Sequence, residues 1–478
     1  MNVIWTPQEK QAIFQSRPEY EALYGGAAGG GKSDALLTEA LRQVHIKHYR
    51  ALILRKTYPQ LSELIDRSRE LYTSAFPTAK YNETKHVWTF ESGAKIYFGA
   101  MQHTSDRINY QGKRYDFIAF DELTHFSWDE YSYMFSRNRP SGSGTRVYIR
   151  STTNPGGIGH GWVKERFITA APPLTPIISK MQVAAPDGKL ETVTRDRIFV
   201  PSTVFDNKKL LENDPGYIAN LSMLPFKERQ ALLYGDWDSF CGQVFTEWKN
   251  DPSHYGDRVF THVIDPFYVP KEWKIYRGFD FGYSKPYAVE WLAADHDARV
   301  YVIAELYGCT ESPDTGIKDT PAEIAKKIIE MENTHPNLKG RKIHGIADPA
   351  IAKAETGESI ADMMARNGVF FDFGDHERLP GKMQFHYRFA FDKNGIPMMY
   401  VFKNCRHFIR TVPNLIYDES NVEDINTKSE DHIYDCVRYV LMANPISPRK
   451  NELKKAFIGE DPLDIMPNRL AKYDFYRI

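Results

Sequence analysis

From Gly25 to Ser33 the chain reads Gly-Gly-Ala-Ala-Gly-Gly-Gly-Lys-Ser. Starting at Gly26 this is G-x-x-x-x-G-K-S, the spacing of a loop that cradles phosphates. Backbone N–H groups at Gly26, Gly29, Gly30 and Gly31 can turn inward around phosphate oxygens, where a Cβ would obstruct the approach. Lys32 is positioned to put a point charge on the β/γ-phosphates of ATP, and Ser33 to offer its hydroxyl to Mg²⁺. A second candidate group lies in Tyr115-Asp116-Phe117-Ile118-Ala119-Phe120-Asp121-Glu122, an apolar strand that ends on two acids. Asp121 suits Mg²⁺, directly or through water, and Glu122 suits orienting and activating a water for attack. A third is formed by Asp280, Asp348 and Asp435, each ending or opening a predicted element far down the chain.

The elements around the first two groups are those of a nucleotide-binding α/β sheet. Glu21–Tyr24 is a short strand entering the glycine loop, and Lys32–His45 a helix leaving it, with Ala35, Leu36, Leu37, Ala40, Leu41 and Val44 apolar. Ala51–Arg55, Lys95–Gly99 and Arg146–Arg150 are further strands; the last runs on into Ser151-Thr152-Thr153-Asn154-Pro155-Gly156-Gly157. That segment is a turn by composition, and its position lets Asn154 sense a γ-phosphate. Upstream, Thr6-Pro7-Gln8-Glu9 is a helix start by its cap and proline, while Gln8 or Gln11 alternatively reads adenine. No arginine lies in the glycine loop; Arg137 and Arg139, after a helix over Trp128–Phe135, are either a finger for a neighbour's phosphates or solvated surface groups. Alternating strands and helices with phosphate at a helix N-terminus predict a mainly parallel sheet.

Ala170–Pro186 is predicted to be irregular, and a boundary falls near 240–265. Beyond it the rhythm changes to three successive strands (Trp273–Phe279, Tyr287–Ala293, Arg299–Leu306). A helix at Pro321–Glu330, a strand at Ile343–Ala347, a helix at Ser359–Asn367, a strand at Val369–Phe373 and a helix at Asp431–Met442 follow. The order β-β-β-α-β-α-β-α is that of the RNase H-like (RuvC/resolvase-type) fold. Its nucleases carry acids in the middle of the first strand, at the end of the fourth and on the last helix, the places of Asp280, Asp348 and Asp435. Clustered carboxylates require cations, and oxygen-only ligation suits Mg²⁺ or Mn²⁺. Two such ions would assist phosphodiester cleavage, with Asp431 and His432 able to join them. Singly, each Asp also suits a cap or turn, Asp431 an N-cap above all.

With 478 residues, 42% hydrophobic and 26% charged, the chain has material for two or three domains with real cores. Its net charge of -1 argues against tight non-specific DNA binding by the isolated chain. The four cysteines, Cys241, Cys309, Cys405 and Cys436, form no C-x-x-C pair, which suits a reducing compartment and not a zinc site. Met1–Lys10 lacks signal-peptide features and no apolar run is long enough to span a membrane, so a cytosolic protein is expected. The expected division is a P-loop ATPase domain over 1–240, a linker over 241–265, a nuclease domain over 266–446 and a tail over 447–478.

Gly26–Ser33, Leu54-Arg55-Lys56-Thr57, Phe120-Asp121-Glu122-Leu123 and Thr152–Gly157, followed by Asp280-Phe281-Gly282, Asp348-Pro349 and Asp431-His432-x-x-Asp435-x-x-Arg438-Tyr439, resemble the motifs of the large terminase subunit of tailed phages. The resemblance covers nearly the whole chain. It implies ATP-driven translocation of double-stranded DNA into a procapsid and endonuclease cuts at initiation and termination. It further implies a ring of subunits, five by the family's pattern, docked on the portal, and a small terminase subunit that selects the DNA. It places the protein in the host cytoplasm, transiently on the procapsid and absent from the virion. The chain departs from some members in lacking an arginine in the loop. An ATP-driven helicase or recombination nuclease without a capsid is the competing reading.

Overall fold

The computed structural model describes residues 3–184, 190–238, 240, 242–354, 357–418, 421 and 423–447. The cationic tail residues Arg449, Lys450, Lys454 and Lys455, together with Cys241, lie outside them.

Two sheets organise the chain. The first contains β1 (Glu21–Gly26), β2 (Arg50–Arg55), β3 (Lys80–Asn82), β4 (Val87–Thr89), β5 (Lys95–Ala100), β6 (Phe117–Phe120), β7 (Tyr148–Thr153), β8 (Ile177–Ala184) and β9 (Leu190–Ser202). Among the described residues its order is β3-β4-β5-β2-β6-β7-β1-β9-β8. The six strands from β5 to β9 in that order pair in parallel. Alternation places Ala22, Tyr24, Ala51 and Ile53 in one core and Leu23, Leu52 and Leu54 in the other. Both faces are covered, which is why these strands are apolar throughout. The parallel arrangement brings the carboxyl ends of β1, β6 and β7 side by side.

Two expectations fail here. The stretch Ala170–Pro186 is not irregular, since β8 occupies Ile177–Ala184 and pairs antiparallel with β9. This hairpin is mostly exposed, with Ile178 and Leu190 open to solvent, so no buried alternation marks it in the sequence. The helix at the N-terminus begins at Glu9 with Gln8 as its cap, not at Thr6.

The second sheet contains β10 (Val263–Ile264), β11 (Lys274–Asp280), β12 (Ala288–Ala294), β13 (Val300–Tyr307), β14 (Ile343–Ala347), β15 (Asp372–Phe373) and β16 (Met399–Phe402). Its order is β10-β16-β13-β12-β11-β14-β15 among the described residues. β11, β12 and β13 form an antiparallel meander, and β14 joins β11 in parallel on the other side. This is the RNase H-like arrangement, with the helix Arg378–Phe389 and β16 added beyond the expected order. Val244 and Phe245 are buried in this second core and β10 pairs with β16, so much of the 241–265 stretch packs with the second half.

The last helix, His432–Ala443, buries Ile433, Tyr434, Cys436, Val437, Val440 and Leu441 against this sheet. Its close approach depends on Gly278 in β11. A Cβ there would meet the Cys436 carbonyl oxygen at 2.5 Å and its Sγ at 2.9 Å. Gly278→Val is therefore expected to destabilise the protein by about 1–3 kcal/mol, the usual cost of overpacking, in urea unfolding followed by tryptophan fluorescence. Unchanged stability would show that the helix is free to move away.

Candidate functional sites

The glycine loop joins β1 to the helix Lys32–Ala40, with Gly31 as its left-handed N-cap at φ 68°. Lys32 is buried, and burial lowers its pKa against the opposing pull of Glu122 and Asp121. Its Nζ donates to the Ala27 carbonyl and, at 2.8 Å, to Asn154 Oδ1. Asn154 in turn donates from Nδ2 to Glu122 Oε1 (3.0 Å) and from its backbone N–H to Oε2 (3.1 Å). One amide thus bridges the lysine of the loop and the acid at the end of β6. Glu122 sits at φ 58°, a left-handed conformation that is costly for a residue with a Cβ and is found where surrounding contacts over-determine it.

Asp121 is almost fully buried. Its Oδ1 accepts from Thr152 Oγ1 at 2.5 Å, and its Oδ2 lies 2.9 Å from Arg55 Nε without hydrogen-bond alignment. A buried carboxylate oxygen with no hydrogen bond fits a cation arriving with a nucleotide's phosphates. Lys56 binds both oxygens of Glu130 at 2.8 Å, and Thr57 caps the helix Tyr58–Ala75, so each residue of the Arg55-Lys56-Thr57 run has a separate task. Among the N-terminal glutamines, Gln11 donates to the Gly31 carbonyl at 2.7 Å. Gln8 reaches the loop through Asn207, whose own amide donates to the Gly29 carbonyl at 2.6 Å.

Arg137 and Arg139 stand elsewhere. Their backbones pair with Tyr115, just before β6, at the opposite end of that strand from Asp121. The Arg137 guanidinium lies 5.0 Å from the Tyr133 ring. Neither stands beside Asp121 as Arg55 does, a residue met in the sequence within the Leu54–Thr57 motif and given no role there. His160 was equally silent in the sequence. It accepts from Gly156 N–H at Nδ1 and bonds the Trp237 carbonyl from Nε2, a neutral tautomer held there by burial, which lowers its pKa to about 3. It ties the turn after Asn154 to the end of the first half.

The second group gathers at one end of the second sheet. Asp280 is the last residue of β11, not a mid-strand residue as expected, and Asp348 directly follows β14. Asp431 and Asp435 belong to the start of the last helix. Asp431 is buried but makes no side-chain cap bond, so the capping role is not the one it plays. His432 Nδ1 lies 3.4 Å from Asp280 Oδ2, and its Nε2 lies 3.2 Å from Asp314 Oδ1. Asp435 accepts from Arg438 Nε at 2.9 Å, and Arg378 reaches toward Asp424, Asp431 and Asp435. Asp348 accepts from the Ala350 N–H at 2.8 Å. Asp314 and Arg378 are additions from turns and helices whose sequence carries no signal for the site.

Charge is the dominant feature. Burial, aided by Asp435 and Asp348 and opposed by His432, raises the Asp280 pKa to about 6. Burial and then Asp435 push Asp431 up as well. Burial lowers His432, but Asp280 and Asp314 outweigh it and hold the imidazolium to about 10. The donors are the oxygens that Mg²⁺ or Mn²⁺ takes, and mutual repulsion is what a cation would relieve. Among the described residues, no three His, Cys, Asp or Glu side chains already stand close enough to hold a metal ion. The acids share a neighbourhood, with His432, Arg378 and Arg438 as their cations.

Comparison with known proteins finds a family match in the first half. Residues 23–248 match the family model described as "Terminase large subunit, T4likevirus-type, N-terminal". No curated protein matches. Among solved structures, the large terminase of a thermophilic bacteriophage in complex with ATP-gamma-S is 16% identical, covering 91% of this chain and 98% of that one at a TM-score of 0.37. The HK97 bacteriophage large terminase is 9% identical, covering 92% and 94% at 0.45. The P22 large terminase nuclease domain is 18% identical, covering 43% and 93% at 0.31.

The raised pKa values of Asp280 and His432 give a direction for stability without added metal. A group whose pKa is raised on folding stabilises the fold below its unfolded pKa and loses that contribution as pH rises through the folded value. For Asp280 the loss runs from its ordinary 3.8 to about 6, and for His432 from 6.5 to about 10. In urea unfolding of metal-free protein, wild type should therefore lose stability relative to Asp280→Asn between about pH 4 and about pH 6. A difference that does not change over that range would place the protons elsewhere.

Proposed function

We propose that this chain, whose residues 23–248 match the large terminase N-terminal family model, is the subunit of a phage packaging motor that hydrolyses ATP, moves double-stranded DNA into a procapsid and cuts it. The observation that carries this reading is the Lys32–Asn154–Glu122 connection, which links phosphate recognition to a general base in a chain that also gathers acids on a second sheet.

When ATP enters, its β/γ-phosphates are better acceptors for the Lys32 ammonium than Asn154 Oδ1 and the Ala27 carbonyl. Lys32 turns to them, and Asn154 keeps only its bonds to Glu122. The strained Glu122 then orients a water for attack. Ser33 and Asp121 would hold magnesium, which would supply charge neutralisation at the phosphates. Gln8 takes part through Asn207 and the loop, and is the residue offered for adenine. Arg137 and Arg139, away from this chain's own loop, serve a neighbouring subunit's phosphates in a ring of five docked on the portal, supplied with DNA by a small terminase subunit in the host cytoplasm.

In the second half, Asp280, Asp348 and Asp435, with Asp431 beside them, would hold Mg²⁺ or Mn²⁺. Cations held there would supply charge neutralisation for cleavage of the DNA backbone. Arg438 and Arg378 orient Asp435, while His432 and Asp314 brace Asp280.

The two activities are separable on this reading. Lys32→Ala should lower ATP hydrolysis by at least about a hundredfold and abolish packaging into purified procapsids, while Mn²⁺-dependent plasmid nicking persists. Glu122→Gln should retain ATP binding and lose about a hundredfold or more in turnover. Asp280→Asn should show the converse of Lys32→Ala. Loss of both activities in one properly folded variant would contradict two independent sites.

A further inference from the structure

Away from both sites, the 3₁₀ segment Thr104–Tyr110 roofs one face of β5 and encloses a hollow of about 340 Å³. Its walls include Tyr58, Tyr97 and Tyr110 together with Lys85, Asp106, Asn109 and Lys113, the last 5.4 Å from the Tyr110 ring. Tyr97, Lys113 and Tyr115 also line a second hollow of about 460 Å³, continued by Arg50, Lys95 and Arg114. Among the described residues, no acidic side chain lines this second part. The first compartment is aromatic with an amide and one carboxylate, Asp106, at hand; the one beside it is cationic.

We propose that this double hollow binds one unpaired nucleotide, the base among the tyrosines and the phosphate among the lysines and arginines. Stacking on aromatic faces combined with a cationic track is how proteins hold unpaired nucleic acid, and it tolerates any base because every base has a π-face. The first hollow has the size of a small-ligand pocket. A paired duplex keeps its base faces stacked inside the helix and has nothing to insert, so the ligand is a free nucleotide or an unpaired strand end. The site goes beyond the packaging reading and does not depend on it. Arg50 already donates to the Tyr97 hydroxyl at 3.0 Å, holding the ring that both compartments share.

The test uses full-length protein carrying Lys32→Ala, so that the glycine loop lacks its cation. Binding of a labelled ten-residue oligothymidylate and of a blunt duplex is measured by fluorescence anisotropy, and of thymidine monophosphate by calorimetry. Tyr58→Ala with Lys113→Ala, both exposed positions outside the core, should weaken the oligothymidylate at least tenfold and leave the duplex within twofold. Loss of thymidine monophosphate binding in the same variant assigns the site to free nucleotides as well; binding of the oligonucleotide alone assigns it to strand ends. A 5-iodouracil oligonucleotide should photo-crosslink to the peptides bearing Tyr97 or Tyr110. Equal weakening of oligonucleotide and duplex, no weakening of either, or crosslinks confined to other peptides would overturn the proposal.

Discussion

A buried ammonium needs acceptors, and the first half of this protein is arranged around satisfying one. Lys32 has lost its water, and the Ala27 carbonyl and the Asn154 amide replace it. Because Asn154 has a second face, the same residue grips Glu122 through two hydrogen bonds. The arrangement works only because β7 lies between β1 and β6, so that three carboxyl-terminal strand ends present their loops to one another. Thr152 on Asp121, and Thr124 on the Asn154 carbonyl at 2.9 Å, knit the same loops together. Arrival of a better acceptor for Lys32 must therefore be felt at Glu122, without any longer-range movement being required.

The second half faces the opposite electrostatic problem. Its sheet ends and last helix bring several carboxylates into a poorly hydrated corner, and protonation, histidine and arginine share the task of balancing them. His432 is held between Asp280 and Asp314, while Arg378 spans three acids. The closeness of the last helix, permitted by Gly278, puts Asp435 within the electrostatic reach of Asp280. Packing and charge are thus one problem: a helix standing further off would relieve the repulsion and lose the site.

The two halves also meet. Ala231 and Phe240 of the first half cluster with Ile416 of the second, and Arg410, bound to Glu430 by two bonds of 2.6 Å, lies 3.5 Å from Glu165 of the first half. A stretch rich in proline, glycine and aspartate reads as a linker. Here Phe245, Ile264 and the β10–β16 pair show it contributing side chains to the second core.

What could be read from the sequence is local in physical origin. Gly26–Ser33 is legible as a tight turn between strand and helix because few other residues allow that backbone; Phe117–Phe120 and Ile343–Ala347 are legible as strands because their apolar runs end abruptly on acids. The meander and the last helix follow from periodicity, and so the fold class does too. What the tertiary structure alone decided is which distant groups share a charge. Arg55 beside Asp121, Asn154 between Lys32 and Glu122, and His432 between Asp280 and Asp314 join residues from separate strands and turns. No spacing along the chain encodes them. The hairpin of β8 and β9 escaped for the related reason that its outer part stands in solvent, where no burial imposes a pattern. Periodicity records which face of an element is buried, whereas the partner of a charge is set by sheet order and helix docking, which exist only once the chain has folded.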